Sequence, residues 1–299
     1  MEKKENASEL KIAVDAVDRN FLTIAPFLLV AVIIDAIFLA PFFGDGGCSE
    51  YFLPVGEGDS ELIVTKTGAK ILIDGGPANS LALESLDKII APSDRYLDLV
   101  VMTHAQLDHF GGLMDVIKSY RIGMFVWNGV ENATETFKNL KRSMAERGVA
   151  SIALKEGDRV TIGDTAMEIL SPSAALLAGG DLNDSALIIE VDAGDIRSLF
   201  MSDVSSRVEE EIVRGIGGAI NVLKVAHHGS KGASSGKFLR ALSPDIAIIE
   251  VGENSYGHPA EEVINRLAAI GAKIVRTDET GIVKISGTAT ENIGVFAMK

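Results

Sequence analysis

The stretch "VVMTHAQLDHFGG", residues 100–112, passes from an apolar run to a polar turn and then to a glycine pair. The run is short and rich in β-formers, so it reads as a strand, and the glycines that follow read as a turn. His104, Asp108 and His109 leave that strand on one turn, so their side chains can fan toward a single point. Imidazole nitrogen and carboxylate oxygen are the usual protein ligands of zinc and manganese. Gln106, between the two histidines, offers only a neutral amide, a poor ligand for such an ion.

The same pattern recurs along the chain. "KILIDGG" ends in Asp74, "IRSLFMSD" in Asp203, "NVLKVAHHGS" in His227 and His228, and "DIAIIEVG" leads to "NSYGHP" with His258. Helical periodicity lies between several of these runs, over roughly 109–119, 133–148, 205–214, 234–242 and 259–270. Strands alternating with helices predict an α/β layered domain with its functional groups at strand ends.

All five histidines fall in three places: 104 and 109, 227 and 228, and 258. One histidine at a strand end is an ordinary structural residue. Five in three glycine-flanked clusters, with Asp74, Asp108 and Asp203 in like positions, read as a constellation. An aspartate between two ions about 3.5–4 Å apart would let them clamp a phosphoester or another scissile group. No serine or cysteine nucleophile is then required. "GEGDS" and "GPANS" lack the length and lysine placement of a phosphate-binding loop.

The composition narrows the partners. With 42 acidic against 28 basic side chains the chain carries a net charge of −14, which excludes a broad basic face for nucleic acid. Lys224, Lys231, Lys237 and Arg240 around "HHGS", with Lys118 and Arg121 after "LDH", either meet a phosphate backbone locally or form a solvated charged face. The single cysteine, Cys48, excludes a disulfide framework and a cysteine zinc cluster.

Residues 21–43, FLTIAPFLLVAVIIDAIFLAPFF, hold one charge, Asp35, and are long enough to cross a bilayer as a helix. The alternative, a cleaved signal peptide, is opposed by the long polar segment before the run and by the lack of a small-residue cleavage site. Lys3, Lys4, Lys11 and Arg19 precede the run, and no basic residue follows until Lys66. The positive-inside rule then gives a cytoplasmic tail over 1–20, a transmembrane anchor over 21–43 and an extracytoplasmic domain over 44–299, on a single-pass protein of the cell membrane.

Taken in order, "VGEGDSELIVTKTGAKILIDGGP", "VMTHAQLDHFGGL", "NDSALIIEV", "LFMSDV", "VLKVAHHGSK" and "SYGHPAEEVINRL" resemble the metallo-β-lactamase superfamily, whose second motif is H-x-H-x-D-H followed by glycines. Within it they are similar to the hydrolase domain of ComEC-type DNA-uptake proteins and their stand-alone relatives, over about residues 50–287. The resemblance implies a four-layer αββα sandwich with a metal site at one edge of the two sheets. It implies one or two ions, Zn²⁺ or Mn²⁺, held by His104, Asp108, His109, Asp203 and one of His227 or His228, with His227 favoured because it leaves the strand first. Asn183 stands where many members carry a further histidine ligand. Asp74 is the strand-end acid that orients the metal loop, and His258 lies on the substrate side as a phosphate ligand or proton donor, so that Asp74, Asp108 and His258 form the expected catalytic group. Asp59 in "GEGDS" is either a loop residue near the site or a turn aspartate.

Two departures from that pattern bear on function. Gln106 replaces a motif residue that is usually histidine or aspartate. ComEC-type permeases carry many spans, whereas one is read here, which points to a hydrolase and not to a DNA channel. The expectation is a membrane-anchored, metal-dependent hydrolase of nucleic acid or another phosphodiester. The alternative is a degenerate, binding-only component of an envelope or DNA-uptake assembly.

Overall fold

The structure, a computed structural model, describes residues 47–287 and 293–298. The chain runs through β1 (Ser49–Phe52), β2 (Glu61–Val64), β3 (Lys70–Ile73), α1 (Leu81–Ile89), β4 (Tyr96–Met102), α2 (Leu107–Phe110), α3 (Leu113–Ser119), β5 (Arg121–Trp127), α4 (Glu135–Glu146) and β6 (Ser151–Ala153). It continues through β7 (Arg159–Ile162), β8 (Thr165–Ser171), α5 (Ala174–Gly179), β9 (Ile188–Asp192), β10 (Arg197–Phe200), α6 (Ser206–Ile212), β11 (Val222–Lys224), α7 (Gly236–Leu242) and β12 (Ile246–Ile249). The last elements are α8 (Glu261–Ala269), β13 (Lys273–Arg276), α9 (Thr277–Thr280), β14 (Ile282–Gly287) and β15 (Ile293–Met298).

The strands form two sheets, in the orders β15-β14-β1-β2-β3-β4-β5-β6 and β13-β12-β11-β10-β9-β8-β7. Alternation along single strands explains the layering. In "KILI", Ile71 and Ile73 face the second sheet, while Leu72 faces the helices. In "RSLF", Phe200 faces the first sheet and Leu199 the helices on the other side. The inter-sheet core joins Phe52, Ile63 and Val101 to Ile189, Val191 and Ile248. Each such side chain contributes about 1.5–3 kcal/mol by leaving water. Leu86, Val116, Phe137 and Leu140 cover the first sheet, and Val208, Leu239, Val263 and Leu267 cover the second. The result is the αββα sandwich expected from the sequence.

Strand direction places the chemistry. β3, β4, β5 and β6 are parallel, as are β10 to β13. Parallel strands end at the same edge of their sheet, where α/β sheets build their sites. Asp74, His104, Asp203, the two adjacent histidines and Glu250 all lie just beyond such ends. The expected helices are present within a few residues of their predicted bounds. α4 starts where the Thr134 hydroxyl accepts a hydrogen bond from the Phe137 amide and buries Phe137, Leu140 and Met144 on one face. No described helix is long and apolar enough to cross a membrane, and the tail and anchor read over 1–20 and 21–43 lie outside the described residues.

A carboxyl of β1 enters the inter-sheet core. Glu50, on the inward face of β1, is fully buried and accepts a hydrogen bond from Ser198 of β10 at 2.7 Å. Burial pushes its pKa from the ordinary 4.5 up to about 7, with the Ser198 bond pulling the other way. Between those two values the unfolded chain loses the proton while the folded chain keeps it, so stability falls as pH rises through that window. Glu50→Gln should remove this loss, gaining about 3 kcal/mol over wild type at pH 8 and little at pH 4. Denaturant midpoints at the two pH values would read it, and an equal gap at both would show that Glu50 is not the source.

Candidate metal centre

Ligand atoms of Asp108, His109, Asp203 and His228 lie within 4.8 Å of one another. His109 Nε2 is 3.3 Å from Asp203 Oδ2, and His228 Nε2 is 3.5 Å from the same oxygen and 3.9 Å from Asp108 Oδ2. His104 lies beside His109, with ring centroids 4.1 Å apart and planes tilted by 53°.

Proton accounting orients these rings. Asp74 accepts from the Thr103 amide at 2.8 Å, the Thr103 hydroxyl at 2.6 Å and His109 Nδ1 at 2.8 Å. His228 Nδ1 lies 3.0 Å from the Glu250 carbonyl, which can only accept, so that nitrogen carries the hydrogen. Ser202 donates to Thr103, whose own hydrogen goes to Asp74, so His104 Nδ1 donates into that hydroxyl pair. Nε2 of each ring is therefore the nitrogen left to take a proton or an ion, and in His109 and His228 it faces Asp203. All three Nε2 atoms are buried without a hydrogen-bond partner, as is Asp203 Oδ1. Buried polar atoms rarely go unsatisfied, and imidazole lone pairs facing carboxylate oxygens are the donor set of a divalent ion. The residues fit the metal that the sequence implied.

The electrostatics agree. Burial opposes charge on His109 and His228, but Asp203 and Asp59, joined by Asp74 at His109, outweigh it and hold both pKa values well above the imidazole range. Burial, reinforced by His109, drives His104 well below it. The centre draws positive charge, as a proton or as a metal.

Glycines let the loops approach one another. A side chain on Gly75 would lie 2.7 Å from the Leu113 nitrogen, and one on Gly112 would strike the Gly75 carbonyl. The glycine pair after Asp74 and the pair after His109 are thus one contact seen from two sides.

His228, not the favoured His227, joins the cluster. Both residues have left-handed backbone, at φ 50° and 51°, which turns the chain sharply after β11. Order off the strand then no longer sets which ring points inward. His227 is partly exposed, 3.7 Å from Asp203, and lines a cavity of about 260 Å³ together with Asn183, Asp203 and Ser205. Asn183 Oδ1 accepts a hydrogen bond from Gln106 Nε2. His258 stays outside the cluster. Its Nδ1 is 2.7 Å from Glu57, and its ring centroid is 5.8 Å from that of His227.

Lys224 does not face a phosphate. It is buried and paired with Asp59, whose other oxygen is 3.2 Å from His228 Nδ1. Burial alone would discharge both partners; each holds the other ionised against it. Burial, then the Asp59 charge, pushes Glu250 up to about 8, and burial with Glu250 raises Glu61 well above its usual range, so Asp59 carries the negative charge of this acidic group. Lysine and aspartate inside "VLKV" and "GEGDS" were the available signals for a buried pair, since a charge on an inward position of an apolar strand needs a partner. Thr103, Ser202 and Glu250 gave no signal of their own.

The family model of the Metallo-beta-lactamase superfamily matches residues 54–252. The chain belongs to this superfamily. It is 29% identical over 250 residues to ComE operon protein 3 of Bacillus subtilis, covering 78% of this chain and 32% of that protein. It is 30% identical over 233 residues to Competence protein ComA of Neisseria gonorrhoeae, covering 76% and 30%. The chain thus spans about a third of the length of these curated relatives. Among solved structures, the fold is similar to the metallo-β-lactamase fold protein YhfI of Bacillus subtilis, at TM-score 0.55 and 9% identity over 79% of this chain and 99% of that one. It is also similar to the metallo hydrolase Igni18 of Ignicoccus hospitalis, at TM-score 0.55 and 15% identity over 84% and 100%. Family and donor set together support a metal-dependent hydrolase.

Elemental analysis of purified variants separates the roles of these residues. His228→Ala should lose the bound ion and His227→Ala should retain it. Gln106→His should raise the content from one ion per chain toward two, because it restores an imidazole beside His104. Two ions in the wild type, or an ion that survives His228→Ala, would overturn this assignment.

Proposed function

We propose that the protein is a membrane-anchored, outward-facing, metal-dependent phosphodiesterase. The observation that carries the reading is the four-residue cluster of Asp108, His109, Asp203 and His228, with its bare Nε2 atoms, beside a cavity lined by Asp203 and His227. A divalent ion held there, Zn²⁺ or Mn²⁺, would supply Lewis-acid polarisation of a phosphoryl oxygen and activate a water. Asp74 and the Glu250 carbonyl hold the ligand rings in one tautomer, and Glu57 takes the Nδ1 hydrogen of His258, so His258 Nε2 gives a proton to a leaving oxygen when the ring is doubly protonated, with Glu57 as its counter-charge. The names of the relatives, competence proteins, support nucleic acid as the phosphodiester. The apolar segment 21–43 and the basic residues before it support the anchor and its orientation.

A second reading, a binding-only component, is favoured by Gln106, whose neutral amide, bonded to Asn183, stands where the resembled motif has a stronger ligand. Turnover decides between the two. Full-length protein given manganese or zinc should hydrolyse at least one of single-stranded DNA, RNA or a small phosphodiester. His258→Ala should keep its ion and lose about 10²-fold in kcat. No turnover on any of these substrates with the ion bound would favour the binding-only reading, and loss of the ion in His258→Ala would make His258 a ligand. Topology has its own check. On intact cells, protease should remove the domain beyond residue 47 and spare a tag on the N-terminus; the reverse pattern would sink the orientation.

A further inference from the structure

We propose that Tyr256, backed by His258, is a stacking platform for the nucleobase next to the scissile phosphate, so that the substrate is a single-stranded, base-bearing phosphodiester. This rests on the phosphodiesterase reading above and narrows its substrate.

At 75% exposure Tyr256 is the most exposed large apolar side chain among the described residues. An exposed aromatic is ordinary when it stands alone. This one is neither alone nor loosely held. Its ring stacks on His258, with centroids 5.6 Å apart and planes at 27°. The His258 ring is in turn 5.8 Å from that of His227, which lines the cavity, and 6.4 Å from that of His228 in the ligand cluster. A continuous row of rings therefore leads from solvent to the centre.

The loop beneath the row is fixed by one side chain. Asn254 Oδ1 accepts from the backbone amides of Tyr256, Gly257 and His258 at 3.0, 3.0 and 3.1 Å. Its amide nitrogen donates to the carbonyls of Gly252 and His258, both at 2.9 Å. An aromatic ring on a loop pinned in this way loses little conformational entropy when a flat ligand covers it. Its exposure offers that ligand a free surface.

The charges point to the same class of substrate. A protein that tracks a nucleic-acid backbone needs a basic groove. Here Lys231 pairs with Glu262, Lys237 with Glu210 and Lys118 with Asp115, and Lys224 is buried. Of the candidate cations, only Arg121 and Arg240 are exposed without a carboxylate partner among the described residues, which makes a stacked base the larger handle. A duplex keeps its bases stacked on one another, whereas a single strand or a strand end presents them.

The test uses the full chain and a dinucleotide containing 2-aminopurine, whose fluorescence falls on stacking, beside the same dinucleotide with that base removed. In wild type the base-bearing probe should be quenched and bind more tightly than the abasic one, by about 5- to 150-fold, the range that one stacked base supplies. Binding should weaken little with salt, because few phosphate contacts release counterions. Tyr256→Ala should abolish the quench and collapse the preference for a base, raising KM and leaving the change in kcat small. Tyr256→Phe should keep both. A quench and a base preference that survive Tyr256→Ala would overturn the platform, as would a wild type that hydrolyses both probes equally well. A wild type that stacks the base but hydrolyses neither probe in manganese or zinc would leave the platform standing and remove the phosphodiesterase reading.

Discussion

The Asp74 carboxylate is the constraint on which the rest of the centre depends. Asp74 has left-handed backbone, φ 52°, a conformation that aspartate tolerates better than most residues. Its amide still pairs with the Val101 carbonyl, so the residue belongs to the sheet while its side chain turns across to the next strand. There it receives the Thr103 amide and hydroxyl and His109 Nδ1. Burial raises its pKa, and these donors, His109 foremost, oppose that rise. One side chain thereby joins the ends of two parallel strands to the turn that carries two histidines. The order it imposes travels further, since using the Thr103 hydrogen decides how Ser202 and His104 must share theirs.

The second sheet is tied to the same centre by a different device. Asp59 comes from the loop between β1 and β2, and Lys224 from the last residue of β11 in the other sheet. Their buried ion pair crosses from sheet to sheet beside His228. Removing two charges from water costs as much as their attraction returns, so such a pair adds little net stability. Its consequence is positional. Neither charge can move away from the other without being stranded in an apolar interior, which would cost several kcal/mol. That fixes the sheets so that Asp203 from one faces His109 from the other at 3.3 Å.

Local pattern made most of this legible and left a definable remainder. Residues 100–112 gave the strand, the turn and three candidate ligands, because strand alternation and the chemistry of imidazole and carboxylate are local properties. Asp74 and Asp203 were legible for the same reason, each standing where an apolar run stops. The choice between His227 and His228 was not, because it depends on two left-handed residues and on a carbonyl 22 positions away. Lys224 read as a surface cation, because its partner lies 165 residues distant. Glu57, whose only sign was a place in a glycine-rich loop, became significant once the fold set it against His258, 201 residues on. Long-range pairing of polar groups leaves no periodic trace in either partner.

The two ion positions differ in what the protein supplies. At one, Asp108, His109, Asp203 and His228 give four donors from rigid turns. At the other, Gln106 Nε2 donates to Asn183 Oδ1, and His104 Nε2 and Asp203 Oδ1 lie buried and unpaired. One imidazole and one carboxylate oxygen are few donors for an ion, and the neutral amide oxygen of Gln106 is a weak third. An ion there would need oxygens brought from outside, and the phosphodiester proposed above carries two that are not esterified. Occupancy there would then follow the substrate in place of preceding it. The Gln106 that weakens the motif would in that case make the second ion a consequence of binding, and the centre would be fully assembled only when a substrate is present.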